Sequence, residues 1–215
     1  RYLAMNGGHA MAISNLKGRS WGMTGDIVRN AVDPRDYLRY DGSEAAGLRM
    51  ASEIGKRKHI LLWEFHEQAF GELPIRLVGR NLDMHGVTAA RDWDDLKHIL
   101  SRHRFFVHAA DPRFEDGSNM ATLEAMAAGL PVLGNRHPTS PVKHGVSGYL
   151  SDDPQELRGY AERLLQDREL AAAMGAQARR IVTEKFSMLR FAQRFRRSIS
   201  IERKRWRKRR VDAAV

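Results

Sequence analysis

The sequence predicts an α/β fold, a parallel sheet with helices on both faces followed by C-terminal helices. Three observations carry that prediction. From about residue 46, short apolar runs alternate with amphipathic segments, as parallel strands joined by crossover helices must. Phe105-Phe106-Val107 is apolar at consecutive positions, which suits a strand covered on both faces. Stop and start signals punctuate the pattern: Gly129 followed by Pro131 ends one helix, and Asp153-Pro154 opens another.

Taken in order, 10–13 and 26–28 read as short strands and 33–36 as a turn or brief helix. Residues 47–51 form a strand. A helix is expected over about 56–71, with Ile60, Leu61, Trp63, Phe65 and Phe70 as its apolar positions and a stop near Gly71 and Pro74. A strand over 75–79 ends in a glycine turn. A weaker strand near 87–90 leads to a helix over 93–102 built on Leu96, Ile99 and Leu100. Strand 105–109, loop 110–118, helix 119–129 and strand 131–134 follow, then a last strand at 147–150 and helices over 154–166, 168–185 and 187–210. This divides the chain into a lead-in (1–45), a sheet domain (46–186) and a basic tail (187–215).

Composition narrows the functional classes. Among 215 residues there is no cysteine, which excludes a disulfide framework, a thiolate nucleophile and a cysteine zinc site. No apolar run approaches the roughly 20 residues that span a bilayer. Residues 1–5 lack an initiator Met and a long apolar region, so the chain reads as starting mid-pattern, with an N-terminal domain expected before it. The nine histidines show no zinc spacing: His66 has no second histidine one turn on, and His98 and His103 are five apart.

The net charge of +10 is concentrated. Residues 185–210 hold twelve Lys/Arg against Glu202, leaving 24 basic and 25 acidic residues elsewhere. The stretch 203–210, with Trp206 embedded, suits an anionic membrane surface. Nucleic acid is a weaker reading, because no aromatic platform accompanies the charge, and a solvated helix end is the plain one.

The functional signal lies in 116–131. A carboxylate, a small turn and a helix start follow one another, with Glu124 eight residues after Asp116. A helix N-terminus after a parallel strand presents unpaired N–H groups and partial positive charge, a natural anion site.

Asp116-x7-Glu124 followed by Ala125-Met126-Ala127-Ala128-Gly129-Leu130-Pro131-Val132 resembles the signature of retaining glycosyltransferases of the group 1 (family four) type. That family usually has Glu at the first position, where this chain has Asp116 with Glu115 beside it. Residues 27–33 look like the family's lead-in to the domain, with Ala31 where Gly is usual, and 78–81 match its glycine turn. The resemblance covers about 10–185. It implies a Rossmann-like domain, the nucleotide-sugar-binding C-terminal half of a two-domain GT-B architecture.

The resemblance also implies roles. Arg49 and Lys56 would neutralise the donor diphosphate, although Arg57 follows where Gly is common. Asp116 would hold the transferred sugar and Glu124 the ribose. Gly117, Ser118, Asn119 and Met120 would offer backbone N–H groups, while Arg80 and His137 would line the site. No metal or other cofactor is expected. The donor would be a nucleoside-diphosphate sugar and the acceptor a glycan, lipid-linked or of the cell envelope. The expected location is cytoplasmic, peripheral on the inner membrane face. A non-catalytic sugar-nucleotide-binding module is the alternative.

Overall fold

The computed structural model describes residues 10–23 and 25–212, with side chains described to 207. The expectations for 1–5 and for the side chains of 208–210 fall outside them. Strands β1 (Met11–Ala12) and β2 (Asp26–Ile27) pair in parallel as a small separate sheet. The main sheet contains β3 (Glu44–Met50), β4 (Ile75–Val78), β5 (His103–Val107), β6 (Val132–Gly134) and β7 (Gly148–Leu150). Its order is β4-β3-β5-β6-β7, and every pair is parallel.

From β3 the chain steps to one side for β4, then crosses to β3's other edge for β5. The strand order therefore reverses between β3 and β5. The crossover connections diverge there and leave a crevice beyond the strands' carboxyl ends.

Helices cover both faces: α1 (Asn15–Ser20), α2 (Ile54–Arg57), α3 (Trp63–Phe70), α4 (Trp93–Arg102), α5 (Met120–Ala128), α6 (Pro154–Gln166), α7 (Arg168–Lys185) and α8 (Met188–Asp212). The alternation of β5 assigns the faces. Phe106 packs with Leu48, Leu100, Met126 and Val182 on one side. Phe105 and Val107 pack with Phe70, Leu157, Leu164 and Met174 on the other. Both phenylalanines are fully buried, each burial contributing about 1.5–3 kcal/mol. Asp92, Asn119, Asp153 and Asp167 each cap a helix by accepting a backbone N–H.

Three expected elements differ. The helix expected over 56–71 is two pieces, α2 and α3, joined by turns. The Leu61 carbonyl accepts from Arg49 (2.6 Å) and the Ile60 carbonyl from the Asp111 N–H (2.8 Å), which draws them out of a continuous helical ladder. Glu53 and Leu62, at the starts of the two pieces, take left-handed φ values of 56° and 45°. Such conformations cost a non-glycine residue about 1–3 kcal/mol and persist only where surroundings impose them. The strand expected near 87–90 shrinks to one bridge, Thr88 to Val78. The third strand ends at Val107 rather than 109, because the Asn135 side chain takes both backbone groups of Ala110 (3.0 and 2.9 Å).

Among the described residues no helix is long and apolar enough to cross a membrane.

Candidate functional site

A cavity of about 650 Å³ opens at the carboxyl ends of β3, β4 and β5, at the switch point. Arg49, the penultimate residue of β3, forms its floor and is 1 % exposed. One guanidinium nitrogen donates to the Leu61 carbonyl, and the group lies 5.4 Å from the Trp63 ring centre. Its Nε and Nη1 are buried with no hydrogen-bond partner. Burial pulls its pKa down to about 10, so the cation persists at neutral pH. A buried cation with two open donors costs stability, and an anion in the cavity would offset that cost.

Asp116 lines the same cavity and also has a buried, unpartnered oxygen, Oδ2. Desolvation raises its pKa, opposed by Arg57. Glu115, its neighbour, turns the other way: it accepts from Thr139 Oγ1 at 2.6 Å and from Ser14 Oγ. Of the two adjacent acids, Asp116 is therefore the one that faces the cavity.

The raised pKa has a definite consequence. In the folded chain Asp116 binds its proton more tightly than in the unfolded chain. Its contribution to stability thus falls as pH rises from the ordinary Asp value, near 3.9, through the raised one. The stability difference between Asp116→Asn and wild type should move in the variant's favour between pH 4 and 7, measured by urea unfolding. A difference flat across that range would refute the assignment.

His108 also lines this cavity, and the sequence reading missed it. Burial holds its pKa at about 3, so the ring is neutral. Its Nε2–H donates to the Asp116 carbonyl (2.9 Å), and Nδ1 faces the Asn119 amide (3.3 Å). Asn119 in turn caps α5 by accepting from Thr122 N at 2.8 Å. One histidine thereby ties β5, the Asp116 loop and the helix N-terminus together. Its only sequence signal was position, immediately after the buried apolar strand.

The other expected residues divide. Gly117 packs so closely on the 137–139 turn that a Cβ would collide with His137 Nδ1 and Thr139 Oγ1. Met120, 41 % exposed, starts α5. Glu124 shares a helix face with Ala121 three residues earlier but, unlike Ala121, does not line the cavity. Its carboxyl pKa is raised by burial.

Four further expected residues do not line the cavity. Lys56 is exposed and paired with Glu53 at 2.5 Å, and Arg57 lines the cavity instead. With α2 a single turn, adjacent side chains diverge widely and only one meets the cavity. Arg80 is exposed outside the cavity, its backbone N–H donating to Ser52 Oγ (3.1 Å). His137 is buried, with Nε2 donating to the Phe114 carbonyl (2.9 Å) and Nδ1 accepting from Thr139 N (3.2 Å), so it braces a turn. Ser118 faces a second cavity.

Residues 79–181, which span the glycine turn, the cavity loop and α5, match the family model described as glycosyl transferases group 1. The match takes in just under half of the chain and marks this segment as similar to that family. Among curated proteins, N-acetyl-alpha-D-glucosaminyl L-malate synthase of Bacillus anthracis is 38 % identical over 76 residues, 34 % of this chain and 20 % of that protein. O-antigen chain mannosyltransferase B of Escherichia coli is 31 % identical over 130 residues, 58 % of this chain and 31 % of that protein. The chain thus spans a third or less of the length of these curated relatives. Among solved structures, Anabaena HepE in complex with UDP superposes with a TM-score of 0.68 at 17 % identity, covering 89 % of this chain and 63 % of that one. That likeness concerns the fold. The parallel five-stranded sheet with helices on both faces is the Rossmann-like α/β arrangement shared with that structure.

Proposed function

We propose that the switch-point cavity binds a nucleoside-diphosphate sugar and that the chain is the donor-binding part of a retaining hexosyltransferase. The observation that carries this reading is Arg49, a buried guanidinium with two unpartnered N–H donors at the cavity floor, opposite Asp116. Arg49 and Arg57 neutralise the diphosphate, and the capped start of α5 adds backbone N–H groups for a phosphate or sugar oxygen. Asp116 accepts from hydroxyls of the transferred sugar and Glu124 from the ribose. In the transfer, the anomeric carbon–oxygen bond breaks with its electron pair leaving on the diphosphate. The acceptor hydroxyl bonds to that carbon on the same face, and its proton passes to the leaving phosphate oxygen. Fixed cations stabilise the growing charge without reorganising, which is how such sites lower barriers.

Titration calorimetry with UDP, GDP and ADP tests the reading, and no binding to any of them by folded protein would sink it. UDP leads the panel because HepE was crystallised with UDP. The two candidate cations give a sharper test. Arg57→Ala should weaken nucleotide binding about tenfold, the worth of one lost charged contact, whereas Lys56→Ala should change it less than twofold. The reverse ranking would restore Lys56.

Among the described residues the small β1–β2 sheet forms no ladder with the main sheet, while Val32 and Tyr37 of the same lead-in pack in the main core. A donor-hydrolysis assay with and without a supplied N-terminal half separates an enzyme from a binding module.

The membrane reading of the tail gains support from α8. Met188, Phe195, Ile199 and Trp206 are all exposed and, at about 100° per residue, fall on one stripe among arginines and lysines. Replacing Arg203, Lys204, Arg205 and Arg207 with Gln should abolish co-sedimentation with phosphatidylglycerol vesicles. Undiminished sedimentation would exclude this role.

A further inference from the structure

A second cavity, of about 840 Å³, lies on the far side of the Asp116 loop and is unused by the donor reading. Three separate stretches wall it: α1 with its cap Ser14, the 138–146 loop, and the C-terminal half of α7. Glu115 joins two of these walls across the cavity loop, accepting from Ser14 Oγ, from Thr139 Oγ1 (2.6 Å) and from Ser118 Oγ (3.4 Å). Val32 N donates to the Phe186 carbonyl (3.1 Å) and ties the lead-in to the third. The cleft is thus preformed by hydrogen bonds between distant parts of the chain.

Its charge is one-sided. Arg19, Arg29, Lys143 and Lys185 line it without a carboxylate partner among the described residues, while Arg180 pairs with Glu184 at 2.8 Å. The chain outside 185–210, which holds Arg19, Arg29 and Lys143, carries 24 basic and 25 acidic residues, so their clustering is not the background of the molecule. Serine and threonine hydroxyls sit among the cations, and Ile13, Leu16, Ile27, Val142 and Ile181 supply apolar wall. The Ser14, Ser118 and Thr139 hydroxyls donate to Glu115, so the four cations and the Ser140 hydroxyl are what would meet a phosphate group, and the apolar wall matches a carbon skeleton attached to it.

The geometry points to a binding site for a phosphate monoester in this second cleft, separate from the donor cavity. The inference does not rest on the donor reading. Ser118 faces this cleft while Asp116 and Asn119 face the other, so one loop separates the two ligands.

The test is calorimetry on the full chain with two probes, glycerol 3-phosphate and its dihexanoyl ester used below its micelle concentration. Arg29→Ala/Lys143→Ala should weaken binding of whichever probe binds by at least tenfold. Arg57→Ala, in the donor cavity, and Arg203→Ala/Lys204→Ala, on the tail, should change it less than twofold. All altered side chains are at least partly exposed, and each variant's thermal melt is compared with wild type. Should the first pair lose its fold, Lys143→Glu alone serves, with the same tenfold threshold.

Tighter binding of the ester identifies a lipid phosphate as the source. Equal binding, or binding of the polar probe alone, identifies a soluble one. No binding of either probe overturns the inference, as does an equal loss in the tail variant, which would reveal diffuse attraction. UDP is titrated in parallel. Loss of UDP binding in Arg57→Ala with the phosphate monoester retained leaves both sites standing. Failure of UDP to bind wild type refutes only the donor reading.

Discussion

Arg49→Met is expected to lower nucleotide affinity about a hundredfold while leaving the melting temperature unchanged or higher. The affinity loss follows from two charge-assisted donors, each worth about 1.5–3 kcal/mol, that only an anionic ligand can engage. The stability outcome is the more discriminating part. Methionine has a similar length and no polar atoms to leave unsatisfied, so the variant sheds the cost of burying an incompletely paired cation. Against that, it gives up the bond to the Leu61 carbonyl at 2.6 Å and the contact with Trp63. These terms are of similar size and opposite sign. Calorimetry and a thermal melt on the same sample read both. A structural arginine would show the opposite pattern, a collapsed melting temperature with affinity retained in whatever remains folded. Arg49→Lys should fall between, since lysine keeps the charge and loses the planar fork.

Gly175→Val is expected to destabilise the chain by about 3 kcal/mol or more, roughly 6–12 °C for a protein of this size. Gly175 lies mid-helix in α7 with no unusual φ. A Cβ there would lie 2.8 Å from the Gly129 carbonyl carbon and 3.3 Å from Pro131 Cδ, and nearer still to the Gly129 oxygen. Because the obstacle is backbone at the end of α5, the helices must separate. That shift moves the far end of the element whose start caps the donor cavity, so nucleotide affinity should fall as well. A chemical melt with unchanged midpoint would show that α7 packs differently.

Much of the architecture was legible because its causes are local. The helix bounds 93–102, 154–166 and 168–185 coincide with the observed ones, each opened by an aspartate cap in the sequence. Phe105-Phe106-Val107 foretold a strand packed on both sides, and both hydrophobic clusters meet there. The segment 53–62 was not legible. Its apolar spacing suits one helix, and nothing local reveals that Arg49 and Asp111 remove two of its carbonyls from the ladder. His108 was overlooked for a related reason. A lone histidine becomes a positioning group only when a helix cap from eleven residues away arrives beside it.

The sequence by itself determined the parallel α/β class and the loop and helix, with their two carboxylates, that border the switch-point cavity. Periodicity, caps and stop signals act over a few residues and do not depend on the rest of the chain. Only the tertiary structure decided which cation lines that cavity, turning Arg57 inward and Lys56 toward Glu53 and solvent, and turning Asp116 into it while Glu115 faces Ser14 and Thr139. Those choices hang on hydrogen bonds across 12 to 101 residues of sequence, where one captured carbonyl redirects a whole turn.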